Sequence, residues 1–255
     1  MAKRGKPEGP IRWTVIGSAP YPTAEEPCSA FLLQAGGANV LVDAGGGMLG
    51  PLQRYIRLQD LHAIWISHLH ADHFADMPLI YYAFAFAERP MRKIPVLAPA
   101  GWAARVEAFV KSSTDHHMRT YFQVVELKDR GIAEIGDLRI QARAVEHGVP
   151  SFGLTARFGE RKLAYSGDSG PCDNLVALAK GVRVLVAECF ATEIEIPSVH
   201  LSPEDAGLTA THAGVSRLVL SHLGPGLTDE EAIERAATTF NGPIEIAKPG
   251  MTFEA

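Results

Sequence analysis

Four metal-ligating side chains lie within six residues of the sequence, in the segment His68-Leu-His-Ala-Asp-His73. The segment follows the short apolar run Ala63-Ile-Trp-Ile-Ser67, which predicts a buried strand, and a loop at a strand end can project side chains into a cleft. Imidazole and carboxylate groups are ligands that zinc and similar ions accept. Four of them are too crowded for one tetrahedral ion, but alternate residues can serve two. With only 10 histidines in 255 residues, chance clustering is the weaker explanation.

Three further residues could complete such a site, and each follows or ends a predicted strand. His147 lies in Val145-Glu-His-Gly, Asp168 lies in Tyr165-Ser-Gly-Asp, and His222 ends the strand Leu218-Val-Leu-Ser-His. A lone histidine is more often a hydrogen-bonded residue than a ligand, so none of the three is convincing by itself. As a set of metal-capable residues at strand ends, they predict a complete dinuclear site.

The order of predicted elements indicates an α/β fold with two sheets. Strands and turns alternate in the first third, residues 122–166 form a second β-rich block, and strands alternate with helices at the end. Ser202-Pro-Glu-Asp and Thr228-Asp-Glu-Glu are typical helix starts, and Ile244-Glu-Ile-Ala is predicted as the last strand. We therefore expect one domain over residues 1–255, a four-layer αββα sandwich with a helical insertion at about 78–121.

Composition excludes several classes of protein. The formal net charge is −5 and the basic residues are scattered, so a long nucleic acid is not an expected partner. The 3 cysteines are far apart, which favours a reducing cytoplasm over a disulfide framework. We see no signal-peptide pattern and no apolar run of membrane-spanning length. The expected protein is cytoplasmic, acts on a small molecule and has no membrane partner.

The histidine segment, with the later His, Asp and His, resembles the HxHxDH signature of the metallo-β-lactamase fold superfamily. The resemblance extends from Val15-Ile-Gly17 to Pro249-Gly-Met-Thr252. It implies that one metal is held by His68, His70 and His147, that a second is held by Asp72, His73 and His222, and that Asp168 bridges both. It also implies that Asp43, in Leu41-Val-Asp-Ala-Gly, fixes the histidine segment by hydrogen bonds. Zinc is the expected ion, with Mn²⁺ or Fe²⁺ as alternatives.

Within the superfamily, the chain resembles the ribonuclease Z branch and, more narrowly, actinobacterial atypical cyclic-AMP phosphodiesterases. The narrower resemblance is carried by Val42-Asp-Ala-Gly, Leu52-Gln-Arg-Tyr55, Tyr165-Ser-Gly-Asp-Ser-Gly-Pro-Cys172 and Lys248-Pro-Gly-Met-Thr252. Position 70 is His, where redox members of the superfamily have Glu, which favours hydrolysis. Only 20 residues separate His147 from Asp168, which leaves no room for a long tRNA-binding arm. The opening Ser18-Ala-Pro-Tyr-Pro22 departs from the small residues usual there.

His200, in Val199-His-Leu-Ser-Pro, resembles the extra histidine of that branch, which contacts the scissile phosphate and assists the leaving oxygen. We predict that His200 donates this proton and that Asp72 orients a hydroxide formed between the two metals. The alternative is that His200 caps a helix or merely lines the cleft. Glu188 and Cys189, at the end of a buried strand, are assigned a supporting role.

Three functions remain open at this point. The leading one is a dinuclear phosphodiesterase for cyclic nucleotides or other small phosphodiesters. The second is a lactonase or thioesterase that uses the same metals on a carbonyl ester. The third is a binding module that keeps the fold of an enzyme but has lost its activity. The seven filled ligand positions disfavour this alternative.

Tyr81-Tyr-Ala-Phe-Ala-Phe86 could stack on a nucleobase, but core packing or a homodimer surface fits this segment better. His116 and His117 could reach the cleft rim.

Overall fold

The computed structural model describes residues 8–110, 118–193 and 198–255 and contains two seven-stranded mixed sheets. The first sheet has the order β14-β1-β2-β3-β4-β5-β6, and its strands from β3 to β6 are parallel. Its strands are β1 (Arg12–Gly17), β2 (Ala30–Ala35), β3 (Ala38–Val42), β4 (Ala63–Trp65), β5 (Ile94–Ala98), β6 (Phe122–Glu126) and β14 (Thr252–Glu254).

The second sheet has the order β13-β12-β11-β10-β9-β8-β7, and its strands from β10 to β13 are parallel. Its strands are β7 (Ile132–Ile135), β8 (Leu138–Val145), β9 (Ser151–Phe158), β10 (Arg161–Tyr165), β11 (Val184–Cys189), β12 (Arg217–Leu223) and β13 (Ile244–Ile246).

Helices cover the outer face of each sheet. They are α1 (Leu49–Leu52), α2 (Ala71–Phe74), α3 (Met77–Ala85), α4 (Trp102–Val110), α5 (Asp173–Ala179), α6 (Pro203–Ala213) and α7 (Asp229–Ala237). The predicted helix starts are confirmed: Ser202 forms a capping box with Asp205, and the Thr228 side chain accepts a hydrogen bond from the backbone of Glu231. Within the described ranges, no helix is long and apolar enough to cross a membrane.

Three apolar clusters hold the layers together. The middle cluster lies between the two sheets and contains the rings of Trp13, Phe31 and Tyr165, whose centroids are 5.0 to 5.5 Å apart. The second cluster packs the first sheet against its helices, which include α3 and α4. The third cluster packs the second sheet against α5, α6 and α7. Each large apolar side chain removed from water contributes on the order of 2 kcal/mol. The predicted four-layer αββα sandwich is confirmed.

Two details of the predicted organisation are wrong. The described part of residues 78–121 is not an insertion of helices alone, because β5 lies inside the first sheet between β4 and β6. Pro95 is tolerated in β5 because pairing with β4 begins only at Val96, beyond the missing N–H. Ile244–Ile246 is not the last strand either, since β14 follows it and pairs antiparallel with β1.

Candidate metal centre

Five strand ends bring the site together at one edge of the two sheets. Asp43 follows β3, the histidine loop (residues 66–70) follows β4, and Asp168 follows β10, while Glu188 and His222 lie in the last residues of β11 and β12. Parallel strands end on the same side of a sheet, so the loops that follow them converge there.

Hydrogen bonds to backbone carbonyls fix the histidine loop and the helix that follows it. The Phe152 amide donates to the Ser67 carbonyl at 3.0 Å, and the Arg105 guanidinium donates to the Leu69 carbonyl at 2.8 Å. The Ala44 amide donates to the His73 carbonyl at 2.8 Å. Gly45 is needed at this approach, because a Cβ there would overlap the carbonyl oxygen of Asp72.

All seven residues predicted as ligands converge in two adjoining clusters. Within each cluster the candidate ligand atoms lie within 4.8 Å of one another. The clusters are His68, His70 and His147 on one side, and Asp72, His73, Asp168 and His222 on the other. Asp168 joins the two, because its Oδ2 lies 3.6 Å from His68 Nε2 and 3.2 Å from His222 Nε2.

The donor atoms in both clusters suit divalent cations. His73 Nε2 and Asp168 Oδ1 are buried and 3.3 Å apart, yet neither has a hydrogen-bond partner in the described part of the chain. In the other cluster, His70 Nδ1 lies 3.1 Å from both His68 Nε2 and His147 Nε2. A contact between two imidazole nitrogens needs a proton on one of them, whereas a cation satisfies all three nitrogens together. The clusters are therefore able to bind divalent metals.

Hydrogen bonds orient the imidazoles from behind. His147 Nδ1 lies 2.8 Å from the Val199 carbonyl, which leaves its Nε2 for the centre. His73 Nδ1 lies 2.8 Å from Asp43 Oδ2, which likewise leaves Nε2 toward Asp168. A partner on the distal ring nitrogen is what metal-ligating histidines generally have, because it fixes tautomer and orientation.

Asp43 is the hub of this support. It is 0% exposed, its Oδ1 accepts from the Ser67 amide at 2.7 Å, and its Oδ2 accepts from the Ser67 hydroxyl at 2.8 Å and the Tyr165 hydroxyl at 2.9 Å. Its backbone has a φ of 58°, which non-glycine residues rarely adopt. The predicted hydrogen-bonding role of Asp43 is confirmed, but Ser67 and Tyr165 were missed, although Ser67 is a polar residue directly before the first histidine.

Charge within the centre shifts several pKa values. Burial by itself raises the pKa of Asp168, but the nearby His222, His73 and His68 outweigh it and hold the pKa well below its usual range. Burial likewise lowers the pKa of His73, but Asp168 and Asp43 outweigh it and raise the pKa well above its usual value. Burial, followed by the charge of His73, lowers the pKa of His68. The surrounding imidazoles therefore favour the ionised form of Asp168 although it is buried.

His200 lies beside the centre and does not cap a helix. One of its ring nitrogens lies within 4.8 Å of candidate ligand atoms on His147 and Asp168, and its ring centroid is 4.9 Å from that of His147. The cap of α6 is Ser202, so the capping alternative for His200 is wrong. The ring of Phe190 packs against His200 with centroids 4.6 Å apart.

Glu188 holds His200 in this position. Glu188 Oε1 lies 2.8 Å from His200 Nδ1, and the buried carboxylate also accepts from the amides of Ser169 and Phe190, each at 2.9 Å. Burial lowers the pKa of His200, but the hydrogen bond and charge of Glu188, followed by the charge of Asp168, outweigh it and raise the pKa. The supporting role predicted for Glu188 is thus a specific contact with His200.

The other residues singled out in the sequence lie elsewhere or outside the described chain. Tyr81 and Phe84 are buried in the apolar cluster between α3 and the first sheet. For these two rings the structure agrees with core packing and not with stacking on a nucleobase. Tyr82 and Phe86 stack with ring centroids 5.7 Å apart, and Phe86 is 75% exposed. His116 and His117 lie outside the described residues.

A four-layer αββα sandwich with histidine and aspartate clusters at converging strand ends defines a metallo-hydrolase of the metallo-β-lactamase fold. The chain belongs to the beta-lactamase superfamily, because the family model described as "Beta-lactamase superfamily domain" matches residues 38–223.

Several relatives are similar over almost their whole length. The uncharacterized protein Rv1339 of Mycobacterium tuberculosis is 37% identical over 253 residues, which cover 96% of this chain and 92% of the relative. Ribonuclease Z of Mycobacterium marinum is 28% identical, and the match covers 92% of this chain and 95% of the ribonuclease. The crystal structure of the metallo-β-lactamase fold protein YhfI from Bacillus subtilis matches with a TM-score of 0.86 and 25% identity, over 97% of this chain and 100% of that one.

Proposed function

We propose that the protein is a dinuclear metal-dependent phosphodiesterase that acts on small phosphodiesters, with cyclic nucleotides as the first class to test. The observation that carries this proposal is His200, a histidine outside the two ligand clusters that a buried carboxylate holds beside them. Hydrolysis of a phosphodiester needs a proton for its alkoxide leaving group, and a positioned imidazolium supplies one.

The metal assignment follows the two clusters. His68, His70 and His147 would hold one ion, and Asp72, His73 and His222 would hold the other. Asp168 is the proposed ligand to both. Imidazole and carboxylate donors favour zinc, with Mn²⁺ or Fe²⁺ as alternatives. Bound divalent ions would supply activation of water near neutral pH and neutralisation of charge on the substrate's oxygens.

The protein's own residues supply the proton transfers. Asp72 is 23% exposed and its Oδ2 lies 3.5 Å from both His73 Nε2 and His222 Nε2, so it is placed to orient the attacking water. His200 keeps its Nδ1 on Glu188, which leaves Nε2 to donate a proton to the leaving oxygen as the phosphorus–oxygen bond breaks. The Glu188 carboxylate stabilises the charged imidazole before that transfer.

Three observations support a phosphodiester of small size. One relative of the chain is a ribonuclease by name, and ribonucleases cleave phosphodiesters. The segment between His147 and Asp168 consists of the β9 and β10 hairpin with short connections, so no long arm for a folded RNA projects from it. The charge of −5 also argues against a long polyanionic substrate.

The variant His200→Ala tests the proposal. We expect it to keep its metals and to lose about 10²- to 10⁴-fold in kcat on a cyclic nucleotide, because the general acid is gone. On a thioester, whose thiolate leaves without protonation, the loss is expected to be small. His212→Ala, an exposed histidine on α6, is the matched control.

The outcomes separate the phosphodiesterase from the carbonyl hydrolase. Metal content is measured in parent and both variants, and turnover is measured on cyclic nucleotides, lactones and thioesters. A parent that hydrolyses only the lactone or thioester substrates would make the chain a carbonyl hydrolase. Cyclic-nucleotide turnover that is unchanged in His200→Ala would remove the role assigned to His200.

A further inference from the structure

A row of basic side chains crosses the outer face of the second sheet, at the end far from the metal centre. Arg139 on β8, Arg157 on β9 and Lys162 on β10 lie directly opposite one another in the strand register. Lys162 is the second residue of β10, whereas Asp168 follows the end of that strand. The fold thus gathers basic residues that are scattered in the sequence.

The row borders a cleft of about 230 Å³ beside the C-terminal end of α5. Lys180, the residue after α5, adds a fourth cation, and Gln141 and Thr155 add polar side chains. The Thr155 hydroxyl donates to the Leu178 carbonyl at 2.8 Å and so ties the sheet to the helix. No carboxylate is among the residues that line the cleft, and none of its four cations forms an ion pair with another described residue.

The row costs the free protein stability, because like charges directly opposite on neighbouring strands repel each other. A neighbouring cleft, which the two arginines of the row also line, contains the carboxylates of Glu134, Asp137 and Glu160, and Glu134 lies directly opposite Arg139 in the strand register. The side of the row toward Lys162 and Lys180 is lined by no carboxylate. An anion in the 230 Å³ cleft would offset the repulsion between the other two cations of the row, which have no carboxylate opposite them in the strand register.

We propose that this cleft binds the phosphate groups of a small molecule, with a diphosphate lying along the row. Neighbouring strands are about 4.8 Å apart, so the three cations of the row span roughly 10 Å, which suits two linked phosphates and is short for a nucleic acid backbone. The guanidinium groups of Arg139 and Arg157 can each bind phosphate oxygens in pairs. This binding is independent of the reaction at the metal centre.

Titration of the protein with pyrophosphate, followed by amide NMR, tests the site. Pyrophosphate is expected to shift the amides of Gln141, Thr155 and Lys162. Because phosphates also bind metals, the titration is repeated in Asp168→Ala, in which the shifts at these three amides should persist. Arg157→Gln should weaken this binding about tenfold, the loss expected for one charge-assisted hydrogen bond.

Matched variants separate site binding from general charge effects. Arg161→Gln removes a neighbouring cation on β10 that does not line the cleft, so it should bind pyrophosphate like the parent. Lys180→Gln removes a cation outside the sheet and should weaken binding without affecting the strands. If pyrophosphate shifts only amides of the histidine loop, or if Arg157→Gln and Lys180→Gln bind as tightly as Arg161→Gln, the proposal is wrong.

Discussion

The carboxylate of Glu188 and the imidazole of His200 lie 2.8 Å apart, with Glu188 0% exposed and His200 at the edge of the metal centre. The two residues belong to different elements, since Glu188 lies in β11 and His200 lies in the loop before α6. A buried carboxylate against Nδ1 orients the ring and favours its charged form. Glu188 is therefore a positioning residue for His200.

We predict that Glu188→Gln lowers phosphodiesterase kcat by at least about tenfold while the metals stay bound. The parent pKa of His200 is raised, so its acid form is lost only as the pH rises through that raised value. Without the charge of Glu188 this loss should begin at lower pH, and the alkaline limb of the kcat profile should move toward acid. Glu230→Gln, an exposed carboxylate on α7, is the control. An alkaline limb that stays in place would contradict the role of Glu188.

Asp168 should be indispensable for metal binding. It is buried between the two clusters and close to nitrogens of His68, His73 and His222, so Asp168→Ala removes the carboxylate that we propose as a ligand shared by both clusters. We expect most of the metal and nearly all turnover to be lost, while circular dichroism shows an intact fold. Asp137→Ala, in an exposed turn, is the control. Full activity at unchanged metal content in Asp168→Ala would contradict the assignment.

The convergence of the seven predicted ligand residues could be expected from the sequence, because most of them follow or end a recognisable strand. The other two, Asp72 and His73, lie in the same short histidine-rich segment, so residue type and position together carry the signal. The contact between Glu188 and His200 could not be expected, because it depends on the path of the loop between β11 and α6. β5 was missed because Pro95 reads as a helix interruption, and only its place before the pairing with β4 makes it compatible with a strand. β14 is three residues long and is defined by its pairing with β1, across most of the chain.

The Asp43 network should set metal affinity without touching substrate. Asp43→Asn keeps a side chain that tolerates the positive φ. It replaces one carboxylate oxygen, which accepts hydrogen bonds from Ser67 or Tyr165, with an NH₂ group that can only donate. We expect metal affinity to fall about 10- to 100-fold, measured by competition with a chelator. Tyr165→Phe removes one donor and keeps the ring packing against Trp13 and Phe31, so its effect should be smaller. Equal affinity in Asp43→Asn and the parent would show that the network does not support the metals.

Gly45 should be intolerant of even one methyl group. A Cβ at this position would overlap the Asp72 carbonyl oxygen and press on Cys28, so Gly45→Ala must push the segment after β3 away from the helix that carries Asp72 and His73. Overpacking of this kind typically costs about 1–3 kcal/mol, which urea unfolding of the metal-free protein would measure. Metal affinity should fall as well, because the Ala44 amide and the His73 carbonyl move apart. Gly50→Ala is the matched control, since a Cβ there meets no atom within 4 Å. Equal unfolding midpoints and equal metal affinity for the two variants would show that the close approach at Gly45 does not constrain the site.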